Sequence, residues 1–343
     1  MGRSTTTISY PDRLELARTP TPLEPFKRFG DRFGVDLYIK RDDLTGTVLS
    51  GNKIRKLEFV LADAQSKGAD TVLTCGGEQS NHARATAIAA AQLGLGCRLI
   101  LRTGDPAHPP PPEGNILLDR LCGAEIVWIT PEEYRRRDEV FAREEAALSA
   151  SGRKPYRIPE GASNAIGAWG YIRAMAELAD QLSDLPGGAA QPTTIVHAAG
   201  SGGTSAGLIL GNLLLPGVNA RAVCINVCDD EAYFRRVIGQ ICEDVVKRYN
   251  LKISFAKNRD IEIIDGYVGR GYALSQPQEL ELLYEVAHTS GLFLDPVYTG
   301  KAFFGMTSEL SRNPELFGER IVFLHTGGIF GLFPQAKEIS ALF

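Results

Sequence analysis

Residues 193–211 read TTIVHAAGSGGTSAGLILG, an apolar β-rich run that passes through Gly200, Ser201, Gly202, Gly203 and Thr204 into a helical pattern. Strand, glycines and helix in that order form the unit from which parallel sheets with crossover helices are built. The segment is also a phosphate cradle in form. Glycines let consecutive amides converge on an anion, the hydroxyls of Ser201 and Thr204 can add donors, and the helix start supplies a favourable field. Two familiar variants fit poorly. A Walker loop needs Gly-Lys-Ser/Thr at its end, and a dinucleotide fingerprint wants a third glycine where Ser205 stands, with an acid about 20 residues on. Asp229 and Asp230 follow the next strand, so dinucleotide binding is weakened but stays open, as does a purely structural turn.

Working outward, the same alternation fills most of the 343 residues. Strands are expected at 37–40, 71–75, 97–101, 125–129, 193–199, 222–228 and 321–325, and helices at 54–66, 81–93, 131–150, 165–182, 204–214 and 277–288. The class is α/β. Residues 108–115, HPPPPEGN, cannot donate backbone hydrogen bonds across the prolines and should form an exposed loop; 185–192, LPGGAAQP, reads as a surface connection. The units between about Lys53 and Trp169 make one body and the remainder another.

Apolar residues are 44% and charged residues 23%, which excludes disordered, collagen-like and coiled-coil classes. With 37 Lys plus Arg against 41 Asp plus Glu, the net charge of −4 argues against nucleic acid or an anionic membrane as partner. The six cysteines lie in apolar stretches without CxxC pairs or zinc-like histidine spacings, so buried thiols of a reducing compartment are expected and a metal site is not. The opening MGRSTTTISYPDRLELART lacks the apolar core of a secretory signal. No apolar run reaches the roughly 18 residues of a membrane span, and the expectation is a soluble cytoplasmic protein.

Four further segments could carry chemistry. In SGNKIRKLEF, Gly51 permits a tight turn, and Lys53 at the helix start could lose hydration and become a nucleophilic amine; a solvated helix-start lysine is the alternative. In CGGEQSNHAR, Ser80 and Asn81 precede an alanine-rich helix whose free amides would favour a carboxylate, against simple capping. His82 alone reads as a helix-surface residue. Tyr298 and Thr299 in DPVYTGKA, and Tyr272 in GRGYALSQPQ, offer phenols that could move a proton or merely pack. LHTGG ends a strand at His325 and Thr326, where α/β sheets bind ligands.

These segments, with TPTPLEP, YIKRDD and IPEGASNAIGAWGY, resemble over nearly the whole chain the 1-aminocyclopropane-1-carboxylate deaminase and D-cysteine desulfhydrase family of the tryptophan synthase β-like fold. The resemblance implies two open, twisted, mostly parallel sheets with flanking helices, and pyridoxal 5'-phosphate as cofactor. It implies a small domain, 53–169, inserted into a discontinuous cofactor-binding domain, 1–52 and 170–343. It makes Lys53 the lysine of the internal aldimine and puts Ser80, Asn81 and His82 beside the substrate carboxylate. Gly200 to Thr204 would hold the phosphate, with Asn81 also beside the cofactor, and Tyr272 and Tyr298 would line the pocket. A homodimer acting on a small amino acid is usual in the family.

Cyclopropane deaminases carry a glutamate after DPVY and a glutamine at the place of His82, where this chain has Thr299 and His82. A carboxylate would favour a protonated ring nitrogen and a deep electron sink, whereas a hydroxyl from Thr299 or Thr326 only hydrogen-bonds it. A shallower sink suffices when a good β leaving group departs. The expectation is therefore a carbon–sulfur lyase that converts D-cysteine to hydrogen sulfide, pyruvate and ammonia, with Lys53 as base and Tyr298 or Tyr272 assisting the leaving group. Ring opening of the cyclopropane acid and sulfite release from cysteate are alternatives within the family; an oxidoreductase or a non-catalytic small-ligand binder are alternatives outside it.

Overall fold

Residues 8–342 of the computed structural model are described, and among them ten strands form two sheets. In chain order they are β1 (Leu23–Pro25), β2 (Asp36–Lys40), β3 (Thr71–Gly77), β4 (Gly96–Arg102), β5 (Glu125–Ile129), β6 (Pro155–Arg157), β7 (Thr193–Ala199), β8 (Ala220–Asn226), β9 (Glu262–Ile264) and β10 (Arg320–Leu324). One sheet has the order β1-β2-β10-β7-β8-β9, parallel throughout except that β1 pairs antiparallel with β2. The other is β5-β4-β3-β6, all parallel. The α/β class is as the alternation predicts. The principal helices are α1 (Lys27–Phe33), α2 (Asn52–Ser66), α3 (Asn81–Gln92), α4 (Gly114–Leu121), α5 (Pro131–Arg135), α6 (Arg137–Ala150), α7 (Trp169–Ser183), α8 (Gly203–Leu214), α9 (Glu231–Arg248), α10 (Lys257–Asp260), α11 (Pro277–Ser290) and α12 (Thr299–Arg312).

Central parallel strands must hide both faces, so their sequences run apolar without alternating polarity. All seven residues of β7 are buried. Ile195 joins a core with Leu57, Val72, Ile88, Leu99, Ile172 and Leu208, whereas the next residue, Val196, joins Leu37, Phe303, Met306 and Phe323 on the opposite face. The first of these clusters runs from the four-stranded sheet through α2, α3, α7 and α8 to the six-stranded one, so the two sheets share one core. A Cβ on Gly170 would lie 2.4 Å from the Arg55 carbonyl oxygen, and this glycine therefore lets α7 cross α2 at close range.

A buried ionic cluster ties α2 to its surroundings. Asp42 accepts two hydrogen bonds from the Arg55 guanidinium, both 2.8 Å, and others from the hydroxyls of Tyr171 (2.6 Å) and Thr21 (2.8 Å). Glu177 on α7 accepts from Arg55 Nη1 at 2.9 Å and from Lys40 Nζ at 2.5 Å. Two cations face two anions with every strong donor engaged, the condition under which buried charge is tolerated. The cluster sets the position of the first turn of α2 against β2 and α7.

Several elements differ from the sequence expectation. The helix at 131–150 is broken at Arg136, whose non-helical φ of −103° and ψ of 30° end a short α5, opened by the Thr130/Glu133 capping box, before α6 begins. Gly114 and Asn115 begin α4 and do not belong to an exposed loop. Asp230 is the N-cap of α9, its carboxylate accepting from the Tyr233 amide, so the acid wanted by a dinucleotide site is occupied in capping. All six cysteines are free; Cys75, Cys97, Cys224 and Cys242 are buried, while Cys122 and Cys228 are half-buried. The expectation about a leader falls partly on residues 1–7, which lie outside the described residues. Among the described residues, no helix is long and apolar enough to cross a membrane.

Removing one partner from the cluster leaves the other charges buried and unpaired. Asp42→Asn should cost about 3–5 kcal/mol, read as a fall in the urea unfolding midpoint, whereas the exposed Asp31→Asn should leave it unchanged. An unaltered midpoint in Asp42→Asn would show that the cluster does not hold the fold.

Candidate active site

A cavity opens where the carboxyl ends of β7 and β10 meet the starts of α2, α3 and α8. Its walls include Asn52, Lys53, Asn81, Gly200, Ser201, Gly202, Thr204, Ser205, Tyr298 and Thr326. No acidic side chain is among the lining residues. The α2 side is built on Gly51, whose φ of 103° is natural for glycine; a Cβ there would meet the Thr326 carbonyl oxygen at 2.7 Å. Gly51 and Asn52 are fixed through amide bonds to Thr45 Oγ1 (2.8 Å) and the Thr326 carbonyl (3.1 Å). Lys53 follows at once and turns its amine into the cavity, 3.0 Å from Asn52 Oδ1 and 5.9 Å from the centroid of the Tyr298 ring. Burial pulls this amine down to about 8, against the pull of Glu160 and Asp295 in the other direction.

One helical turn on, Lys56 is fully buried. Among the described residues its amine has one partner, the Ser163 hydroxyl at 3.2 Å, and no carboxylate; burial, then the charge of Lys53, hold it well below the ordinary lysine value. Ser163 Oγ also lies 2.8 Å from Ser201 Oγ and accepts from the Gly203 amide at 3.2 Å. The amine therefore stands directly behind the glycine cradle. Within that cradle Thr204 Oγ1 accepts from Asn52 Nδ2 at 3.1 Å, while the buried Ser205 hydroxyl, also in the wall, has among the described residues no oxygen or nitrogen partner and only the Cys224 thiol beside it. A Cβ on Gly200 would lie 2.7 Å from the Tyr298 ring, and one on Gly203 would lie 2.6 Å from Ser163 Oγ. A dianion held here would meet helix-start amides and two or three hydroxyls, with the Lys56 amine outside the lining and linked to the cradle through Ser163.

The other residues singled out from sequence are placed as follows. Asn81 is in the wall, its Oδ1 accepting from Asn115 Nδ2 at 3.1 Å. Ser80 lies outside the lining: its hydroxyl caps α3 by accepting from the Ala83 amide at 3.1 Å. His82 is buried, not on the helix surface, and is also outside the lining. Its Nε2 is 2.8 Å from Thr74 Oγ1, whose own proton goes to the Ile158 carbonyl. Tyr272 and Tyr298 meet, their hydroxyls 2.9 Å apart and their rings edge to face. Burial pushes the Tyr272 phenol up to about 12 and holds the Tyr298 phenol well above the ordinary phenol value, so both are protonated near neutrality. Thr299 is not brought to the cavity: its hydroxyl donates to Asp295 Oδ1 at 2.6 Å, a carboxylate that also accepts the amides of Val297, Tyr298 and Thr299. Thr326 is in the wall, and its hydroxyl makes no hydrogen bond among the described residues. Lys56, Ser163 and Asn115 escaped the sequence reading. Lys56, one turn after Lys53 in NKIRK, was the signal available.

A strand–glycine–helix cradle, with an amine behind it that has a hydroxyl but no carboxylate partner and a second lysine in front, suits a phosphorylated aldehyde. The chain belongs to the family described as pyridoxal-phosphate dependent enzymes, whose model matches residues 14–327. Within that family it falls in the 1-aminocyclopropane-1-carboxylate deaminase and D-cysteine desulfhydrase group, a group of pyridoxal-phosphate dependent lyases. It is 45% identical over 95% of its length, and 99% of the relative's, to a Thermotoga maritima protein called "Putative 1-aminocyclopropane-1-carboxylate deaminase". It is 41% identical to the mitochondrial bifunctional D-cysteine desulfhydrase/1-aminocyclopropane-1-carboxylate deaminase of Arabidopsis thaliana, over 96% of this chain and 81% of that protein. A crystal structure described as that of an ACC deaminase homologue superposes with a TM-score of 0.85 at 38% identity, covering 97% of each chain. The group depends on pyridoxal phosphate, and the cavity has the donors such a group needs.

Because the Lys53 amine titrates at about 8, its neutral, nucleophilic form lies on the high-pH side. Covalent attachment of pyridoxal phosphate to the apoprotein should accelerate from pH 7, where roughly a tenth is neutral, and level off above about pH 9. Absorbance followed after mixing reads this directly; a rate that does not change between those values would contradict the amine's depressed value.

Proposed function

We propose that this chain catalyses α,β-elimination from a cysteine-like amino acid, D-cysteine by preference, giving hydrogen sulfide, pyruvate and ammonia. The supporting observation is the absence of any carboxylate from the cavity wall, with the unengaged Thr326 hydroxyl offered in its place. A neutral partner leaves the cofactor's ring nitrogen without a held proton, which suits a substrate whose β-substituent departs readily. Pyridoxal phosphate, when bound, supplies the sink for the electron pair released at Cα. Gly200 to Thr204 would hold its phosphate, backed by Lys56 through Ser163, Lys53 its aldehyde carbon and Thr326 its ring nitrogen.

The substrate carboxylate docks on the Asn81 side chain and the free amides that open α3, which turns the Cα–H bond toward Lys53. The Lys53 amine accepts the Cα proton. Tyr298, with Tyr272 donating to it or accepting from it, gives a hydrogen bond or a proton to the departing sulfur. Ser80 acts one step removed, by capping the helix that presents Asn81. We read 53–169 as the inserted domain, a homodimer as the working form, and the cytoplasm as its place, in keeping with six free thiols.

Opening of the cyclopropane acid to 2-oxobutyrate is the second reading, favoured by the names of the relatives. A screen of both cysteine enantiomers and the cyclopropane acid, with sulfide, pyruvate and 2-oxobutyrate measured, separates the two. Sulfide with pyruvate is expected, and Lys53→Ala should lower turnover by about a thousandfold or more while leaving the far-ultraviolet spectrum unchanged. 2-Oxobutyrate as the main product would overturn the preference for elimination.

A further inference from the structure

Behind the start of α3, the first turn of α4 grips the loop that leads into Asn81. Asn115, the second residue of α4, is fully buried. Its backbone amide is one of the helix-start donors that no carbonyl within the helix can take, and the Gln79 side-chain oxygen accepts it at 2.8 Å. The Gln79 nitrogen donates in turn to the Glu113 carbonyl at 3.1 Å. Gly114, between the two, has a φ of 54°, and a Cβ there would lie 2.6 Å from Gln79 Oε1, so this close approach requires glycine.

The Asn115 side chain turns to the same loop. Its Nδ2 donates to the Gln79 backbone carbonyl at 2.9 Å and to Asn81 Oδ1 at 3.1 Å. A backbone carbonyl only accepts, so it dictates that the nitrogen end of the Asn115 amide faces it. The second hydrogen on that nitrogen dictates in turn that Asn81 presents its oxygen. This orientation has a cost, since Asn115 Oδ1 is buried without a hydrogen-bond partner among the described residues. Turning the amide round would set that oxygen against the Gln79 carbonyl oxygen, with a bond lost and two acceptors opposed. Once the Asn81 oxygen is committed to Asn115, the donors on the Asn81 nitrogen, which have no acceptor among the described residues, are what this side chain offers the cavity.

A free asparagine in a polar pocket can rotate its amide to suit a donor or an acceptor; a locked one cannot. We propose that Asn115 is a positioning residue that locks the Asn81 amide with its N–H groups toward the cavity, so that the enzyme takes a substrate with a free carboxylate and rejects the corresponding carboxamide. This presupposes that the substrate carboxylate docks at Asn81, as in the reading above, and is independent of the bond broken at Cβ. The free amides that open α3 are donors as well. A carboxylate offers an acceptor to each, whereas a carboxamide must turn its NH2 toward one of them, and a donor left facing a donor is a mismatch that a polar site rejects strongly.

The test is calorimetric binding of D-alanine and D-alaninamide, which carry no leaving group on Cβ, to the holoenzyme. The ratio of Kd, amide over acid, measures the preference for a carboxylate. It should fall at least about fivefold in Asn115→Leu and in Asn81→Ala, and no further in the double variant, because Asn115 acts through Asn81. An unchanged ratio in Asn115→Leu where Asn81→Ala lowers it, or a fall in the double variant equal to the product of the two single falls, would overturn the assignment. A loss of packing alone would weaken both ligands alike and leave the ratio where it was. Neutron diffraction from the perdeuterated wild-type holoenzyme reads the orientation itself, with no variant that has to fold. Deuterons on the Asn81 nitrogen facing the cavity are expected, and the Asn81 oxygen facing it would overturn the assignment. If Asn81→Ala keeps the full preference while the deuterons lie as expected, the docking reading falls, and the carboxamide discrimination with it, but the orienting role of Asn115 stands.

Discussion

Buried positive charge at the start of one helix organises this molecule. Lys53, Arg55 and Lys56 fall within a single turn of α2, and each solves the cost of burial differently. Arg55 is neutralised within the protein by Asp42 and Glu177. Lys53 lowers its affinity for a proton. Lys56 does the same but is left with a serine hydroxyl alone, behind a loop shaped for a phosphate. The paired arginine anchors the turn, and the two incompletely paired amines are thereby held where an anionic, carbonyl-bearing ligand would complete them.

Topology supplies the remaining parts from one direction. The glycine cradle follows β7, Thr326 follows β10 and Asn81 follows β3, so every group faces the carboxyl edge of a parallel strand. Ligands gather at that edge because helix starts and loop amides converge there. The shared core between the sheets fixes the distance from Lys53 to the cradle, and Asn52 spans it with one hydrogen bond to Thr204.

The interior of this fold was readable because it is repetitive. The seven expected strands and five of the six expected helices exist as single elements, the sixth, 131–150, being divided at Arg136, and the strands at 125–129 and 193–199 have the expected limits. The strands that escaped, β1, β6 and β9, are three residues long and lie at sheet edges, too short to show any period. Helix α9 carries an apolar stripe at helical spacing, Phe234, Ile238, Ile241 and Val245, downstream of Asp229 and Asp230, of which Asp230 caps the helix. Motifs that place backbone, such as the cradle, were legible. Side-chain destinations were not: Thr299 turns to Asp295, His82 to Thr74, and Lys56 finds Ser163 from over a hundred residues away, pairings that only tertiary structure creates.

The central claim is that a cofactor aldehyde is bound covalently at Lys53 and not at its more deeply buried neighbour Lys56. Borohydride reduction of the holoenzyme followed by proteolysis and mass spectrometry tests it. A pyridoxyl group on Lys53 with Lys56 unmodified is the expected result; label on Lys56, or no labelled peptide from α2, would contradict the account.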